Sequence, residues 1–114
     1  MRSDRSRGVL LDIRDNILLA QEFIGSLTPE SFAADTRTRY AVVRCLEIVS
    51  EASRNVDPAI LARHPGIAWR EIAAAGNVYR HAYRSVRDDL VWSTVRIALP
   101  ELLSVVEAEL GHQD

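Results

Sequence analysis

Apolar residues recur at intervals of three and four along nearly the whole chain, the period of helices that each bury one face. Leu10, Ile13, Ile17, Leu18, Phe23 and Ile24 form the first such stripe and predict a helix over Val9–Ser26. Thr28-Pro29 reads as an N-cap followed by proline at the first helical position, opening a short turn through Ala34. Asp35 then caps a second long helix, Thr36–Asn55, whose inward face is Val42, Cys45, Leu46, Val49 and Ala52. From Asp57-Pro58 to Gly66 the chain reads as a connector with one helical turn, Ala59–Arg63, interrupted by Pro65-Gly66. A third helix starts near Ala68 or Trp69 and runs to about Tyr83, with Ile72, Ala75 and Tyr79 on one stripe. Gly76 lies inside it, where glycine costs about 1 kcal/mol relative to alanine. Asp88 caps a fourth helix with Val91, Val95 and Ala98 as its core stripe and Leu90 and Ile97 widening the apolar side. Pro100 marks a kink or a fresh start, and Leu102, Leu103, Val106 and Leu110 lead to Gly111 as a C-terminal cap.

No Asn-Gly or Asp-Gly turn separates alternating runs, so nothing reads as a strand hairpin. The pattern predicts an all-α fold, a four- to five-helix up-and-down bundle in a single domain over residues 1–114. Residues 1–8, which are polar, read as a flexible N-terminal tail with no signal peptide or membrane span. With 47% apolar and 26% charged residues, the composition is globular rather than disordered. The single cysteine, Cys45, excludes an internal disulfide, fits a cytoplasmic protein, and reads as a small buried apolar residue among valines and leucine.

The net charge is −2, which argues against a generally basic nucleic-acid binder, yet all 14 basic residues are arginine. Arginine offers planar, bidentate recognition of phosphate; a GC-rich genome accounts for the same bias. Metal chemistry has little support: His64, His81 and His112 are far apart, and no paired-cysteine or His-Glu-x-x-His spacing occurs. A phosphate-cradling glycine loop and a nucleophile elbow are also missing from the sequence. Trp69 and Trp92 read as core packing residues, and Glu47 and Glu51 as a solvated face or interhelical contacts. What remains is the third helix. There Asn77, His81 and Arg84 share one face, with Arg80 about 100° to the side of His81. A histidine beside a guanidinium suits phosphodiester chemistry: imidazole exchanges a proton with an oxygen while arginine steadies phosphate charge. An exposed helix with scattered arginines accounts for the same residues without any chemistry.

The stretch Ala68-Trp69-Arg70-Glu71-Ile72-Ala73, followed by Asn77-x-x-x-His81-x-Tyr83 and Val91-Trp92, resembles the HepT-like toxins of the HEPN superfamily. Leu11-Asp12-Ile13, Ser31-Phe32, Glu47-Ile48-Val49-Ser50-Glu51-Ala52, His64-Pro65-Gly66-Ile67 and Leu99-Pro100-Glu101-Leu102 extend the likeness along almost the whole chain. The resemblance implies a HEPN-like bundle that forms a homodimer, needs no cofactor or metal, and acts as an endoribonuclease through an Arg-x4-His motif. One motif per subunit would form a composite cleft in which a ribose 2′-hydroxyl attacks the adjacent phosphate of an RNA substrate. It also implies a nucleotidyltransferase antitoxin that transfers AMP onto the tyrosine of His-x-Tyr, here Tyr83. His81, Asn77 and Tyr83 match the motif, whereas Gly76 stands where the family carries its catalytic arginine. That departure implies an inactive or impaired copy, a natural degenerate member or an acquired change, or else replacement by Arg84 or, second, Arg80. The alternative reading is a non-enzymatic helical dimer that binds a nucleotidyltransferase antitoxin or nucleic acid.

Overall fold

The computed structural model describes residues 4–81 and 87–111, without the side chains of Arg80 and His81. No strand occurs among the described residues; four long helical runs and two short ones make up the bundle. They are α1 (Asp4–Ile24), α2 (Pro29–Ala34), α3 (Thr36–Ser53), α4 (Pro58–Arg63), α5 (Trp69–His81) and α6 (Asp88–Ser93). From α6 the chain passes through a π-helical turn, Thr94–Ala98, straight into α7 (Leu99–Gly111). The longest packing seams join α1 to α3, α3 to α5 and α1 to α7, while α2 lies against α6 and α3. No helix among the described residues is long and apolar enough to cross a membrane.

The first helix begins at Asp4 rather than Val9, so residues 4–8 belong to the helix and not to a tail. Asp4 complements the helix dipole in the first turn, and Arg5 Nη2 donates to Asn55 Oδ1 at 3.4 Å, tying that turn to the end of α3. Gly25, at φ 51°, ends α1 in the left-handed conformation that glycine adopts without penalty. The buried stripe is Leu10, Ile13, Ile17, Ala20 and Ile24; Leu18 and Phe23, expected inside, are exposed. Spacings of three and four continue through Ala20 on one face, which turns Leu18 and Phe23 toward solvent.

Thr28 and Ser31 form a reciprocal capping box at the start of α2, and Phe32 is completely buried one turn in. Asp35 caps α3 by accepting from the Thr38 N–H and hydroxyl, which holds its carboxyl below the usual value. Val42, Cys45, Leu46 and Val49 are buried as the pattern predicts. Ala52 is only partly so, and Ser50 and Ser53 take buried places instead.

Asp88 does not cap α6. Arg87 occupies that position without a side-chain cap bond, and the Asp88 carboxylate instead accepts from Arg39 Nε of α3 at 2.8 Å. Nor does Pro100 break the helix. Proline has no N–H and its ring clashes with the carbonyl four residues back. The π turn widens the helix just before it, with the Leu99 N–H reaching Thr94 O, five residues back. This turn accommodates an extra residue, so the buried series runs Val91, Val95, Leu99, Leu102 and Val106. Ala98, expected on the core stripe, is therefore exposed, as are Leu90 and Ile97.

Candidate active site on helix α5

Helix α5 begins at Trp69, where the indole N–H donates to the His64 carbonyl at 3.0 Å and fixes the entry of the helix. The connector before it is held from the far end of the chain. Glu109, nearly inaccessible on α7, accepts from Arg63 Nη2 at 2.6 Å and Arg63 Nε at 3.2 Å, and it also meets His64 Nε2 at 2.6 Å. That carboxylate keeps the Arg63 guanidinium charged more firmly than usual. A clasp between α4 and α7 thus sets where α5 starts.

Further along, α5 approaches α3 closely at one point. Gly76 is buried, and its N–H donates to Ser50 Oγ at 2.8 Å. The same hydroxyl donates to the Ala73 carbonyl at 3.0 Å, and Arg54 Nε donates to that carbonyl at 3.1 Å. Ser50 therefore satisfies its own buried hydroxyl across the seam. The fit leaves no space for a side chain at 76: a Cβ there would lie 2.6 Å from Ser50 Oγ and 3.0 Å from Ser50 Cβ. Position 76 faces the α3–α5 seam.

Asn77, the next residue, is exposed to solvent. His81 is the last residue of α5, one turn beyond Asn77, so their positions differ by about 40° around the helix axis. The structure thus brings Asn77 and the backbone positions of Arg80 and His81 onto the final turns of α5. The side chains of Arg80 and His81, and all of Tyr83 and Arg84, lie outside the described residues. On the other flank, an open groove of about 280 Å³ runs between α5 and α6 past Val78, Tyr79, Leu90 and Thr94. Tyr79 is largely enclosed there; burial pushes its phenol pKa up, partly countered by a hydrogen bond with Thr94. No group of three or more His, Cys, Asp or Glu side chains that could hold a metal ion occurs among the described residues.

Three features of this region were not legible as functional from sequence. Ser50 carried a signal, a small hydroxyl amid the buried face of α3. Glu109 carried one too, since it falls at the three-residue step after Val106 on an apolar stripe. Arg54 carried none, because nothing in its neighbourhood reports the Ala73 carbonyl.

The polar residues Asn77, Arg80 and His81 thus lie on the final turns of the third long helix of an all-helical bundle. The family model described as "Ribonuclease HepT-like" matches residues 13–109. The chain belongs to the HepT-like ribonuclease family. It is 40% identical over 93 residues to "Probable ribonuclease HepT" of Thermococcus cleftensis, covering 82% of this chain and 84% of that protein. A Methanocaldococcus jannaschii protein named as a "Putative RNase" is 30% identical over 101 residues, covering 89% of this chain and 93% of its own length. A third, also named a "Putative RNase", from Caldanaerobacter subterraneus, is 32% identical over 92 residues, covering 81% of this chain and 82% of its own length. No solved structure matches the chain.

Proposed function

We propose that this protein is a metal-independent endoribonuclease, the toxin of a toxin–antitoxin pair, cleaving RNA by 2′-hydroxyl attack at a composite site of a homodimer. The observation that carries the reading is the Asn77-x-x-x-His81-x-Tyr83 motif on the final turns of α5 and just beyond, in a chain of the HepT-like ribonuclease family. His81 exchanges the proton of the attacking or leaving oxygen, and Asn77 offers a neutral donor to phosphate. The guanidinium comes from Arg80 or Arg84 and not from position 76. The tight fit of Gly76 against Ser50 supports this, because glycine there serves the α3–α5 contact. Tyr83, two residues after His81, is the AMP acceptor through which a nucleotidyltransferase antitoxin silences the site, since an added phosphate repels RNA phosphate.

The test is cleavage of total RNA by the purified protein in excess chelator. Cleavage is expected, with loss on His81→Ala and a larger loss for whichever of Arg80→Ala and Arg84→Ala removes the working guanidinium. Intact RNA with the unmodified protein overturns the reading. One observation favours a second reading: glycine at 76 supplies no donor, and losing a preorganised donor costs about 10²–10³ in rate. On that reading this copy is impaired and works as a non-enzymatic dimer that binds its antitoxin or nucleic acid. Retained RNA or antitoxin binding without cleavage would select it. AMP transfer is read by intact mass after co-expression with the antitoxin: a gain of one adenylyl group, abolished by Tyr83→Phe, is expected.

A further inference from the structure

A cavity of about 360 Å³ opens where the first turn of α1 meets the end of α3, and two guanidiniums from distant parts of the chain converge on it. Arg5 comes from α1 and Arg54 from the residue after α3; Ser6, Asn55, Val56, Asp57 and Pro58 supply the rest of the wall. Among the described residues, each arginine side chain makes one hydrogen bond. Arg5 Nη2 donates to Asn55 Oδ1 at 3.4 Å, and Arg54 Nε donates to Ala73 O at 3.1 Å. These bonds leave Nε and Nη1 of Arg5 and both Nη atoms of Arg54 for other acceptors, and no ion pair joins either guanidinium among the described residues. The carboxylate in the wall, Asp57, is engaged in capping α4 through the Ala59 N–H at 2.9 Å.

The location gives the pocket its meaning. Arg54 is anchored to Ala73, four residues before Asn77 on α5, a separation of about 6 Å along the helix axis. From Ala73 to His81 the axial distance is about 12 Å, a span that a short run of nucleotides covers. In a chain of net charge −2, paired guanidiniums with open nitrogens are a local exception, and guanidinium geometry suits phosphate oxygens.

We infer that the Arg5–Arg54 pocket is a phosphate subsite that grips the RNA backbone to one side of the scissile bond. It gives the cleft a direction along α5, from the pocket past Ala73 to Asn77 and His81. The inference rests on the RNA-cleaving reading above. Its contribution is sequence-independent, because a backbone phosphate carries no base identity.

The experiment measures binding of a fluorescent single-stranded RNA by anisotropy across a salt series, in the His81→Ala background so that the probe stays intact. Arg5→Ala and Arg54→Ala are each expected to weaken binding equally for unrelated sequences and to reduce the slope of log K against log salt by about 0.7. Arg5→Lys and Arg54→Lys are expected to recover most of the slope. Because Arg54→Ala also removes a contact to α5, Arg5→Ala, which leaves that helix untouched, is the deciding variant. Unchanged affinity and slope in Arg5→Ala, while the parent binds RNA, overturns the subsite and leaves the ribonuclease reading intact. Failure of the parent to bind, together with intact RNA in the cleavage assay, overturns both.

Discussion

Replacing Gly76 with alanine places a methyl group 2.6 Å from Ser50 Oγ and 3.0 Å from Ser50 Cβ. The hydroxyl can rotate away, but only by giving up its bonds with the Gly76 N–H and the Ala73 carbonyl. Ser50 Cβ cannot move without α3, so the two helices must separate by a few tenths of an ångström. Overpacking of this kind costs about 1–3 kcal/mol. A lost or weakened hydrogen bond adds about 1 kcal/mol. Against this, alanine is the better helix former by about 1 kcal/mol. The expected net loss is about 1–3 kcal/mol, read as a lower urea midpoint at unchanged m-value. Gly76→Arg carries the same Cβ against Ser50 and is expected to lose at least as much stability. Repeating Gly76→Ala in a Ser50→Gly background removes both close contacts, and there the helix propensity of alanine should make the change stabilising by about 1 kcal/mol. Stabilisation by Gly76→Ala in the parent protein as well as in Ser50→Gly would refute the argument from close approach.

Glu109→Ala strips Arg63 and His64 of their shared acceptor; the lost charged hydrogen bonds predict a fall of about 2 kcal/mol in urea unfolding, and an unchanged midpoint would show the clasp to be idle. Tyr79 has a raised pKa, so its contribution is fully present below about pH 10, the ordinary phenol value, and is lost as pH rises through the higher folded value. Alkaline unfolding should accordingly be blunted in Tyr79→Phe. Cys45 is buried and its thiol pKa is raised by that burial, so a disulfide reagent should label it only as fast as the protein opens, with full reactivity in urea.

The stripes of α1 and α3 and the caps Thr28 and Asp35 could be read from the sequence because they rest on local rules: period, cap residue and proline position. The errors arise where a distant partner intervenes. Asp88 has the chemistry of an N-cap, but Arg39, 49 residues away, claims its carboxylate. The first turn of α1 lies outside the apolar pattern, and its Arg5 meets an acceptor 50 residues on. In the candidate site, the positions of Asn77 and His81 on α5 could be read from spacing alone. The place of Gly76 could not, because within a single helix a glycine reads as a weakness. Only the opposing Ser50 reveals it as a point of contact.

The π turn before Pro100 has a consequence for comparing sequences. Between Val91 and Val106 the chain carries one residue more than an uninterrupted α-helix needs to link the same core positions. A relative without that proline could span the distance with plain helix and one residue fewer. A gap-free alignment would then set its core positions against exposed ones here, such as Ala98 and Glu101, and would score the mismatch as divergence. Placing a single-residue gap within Thr94–Ala98 brings the inward-facing positions back into correspondence.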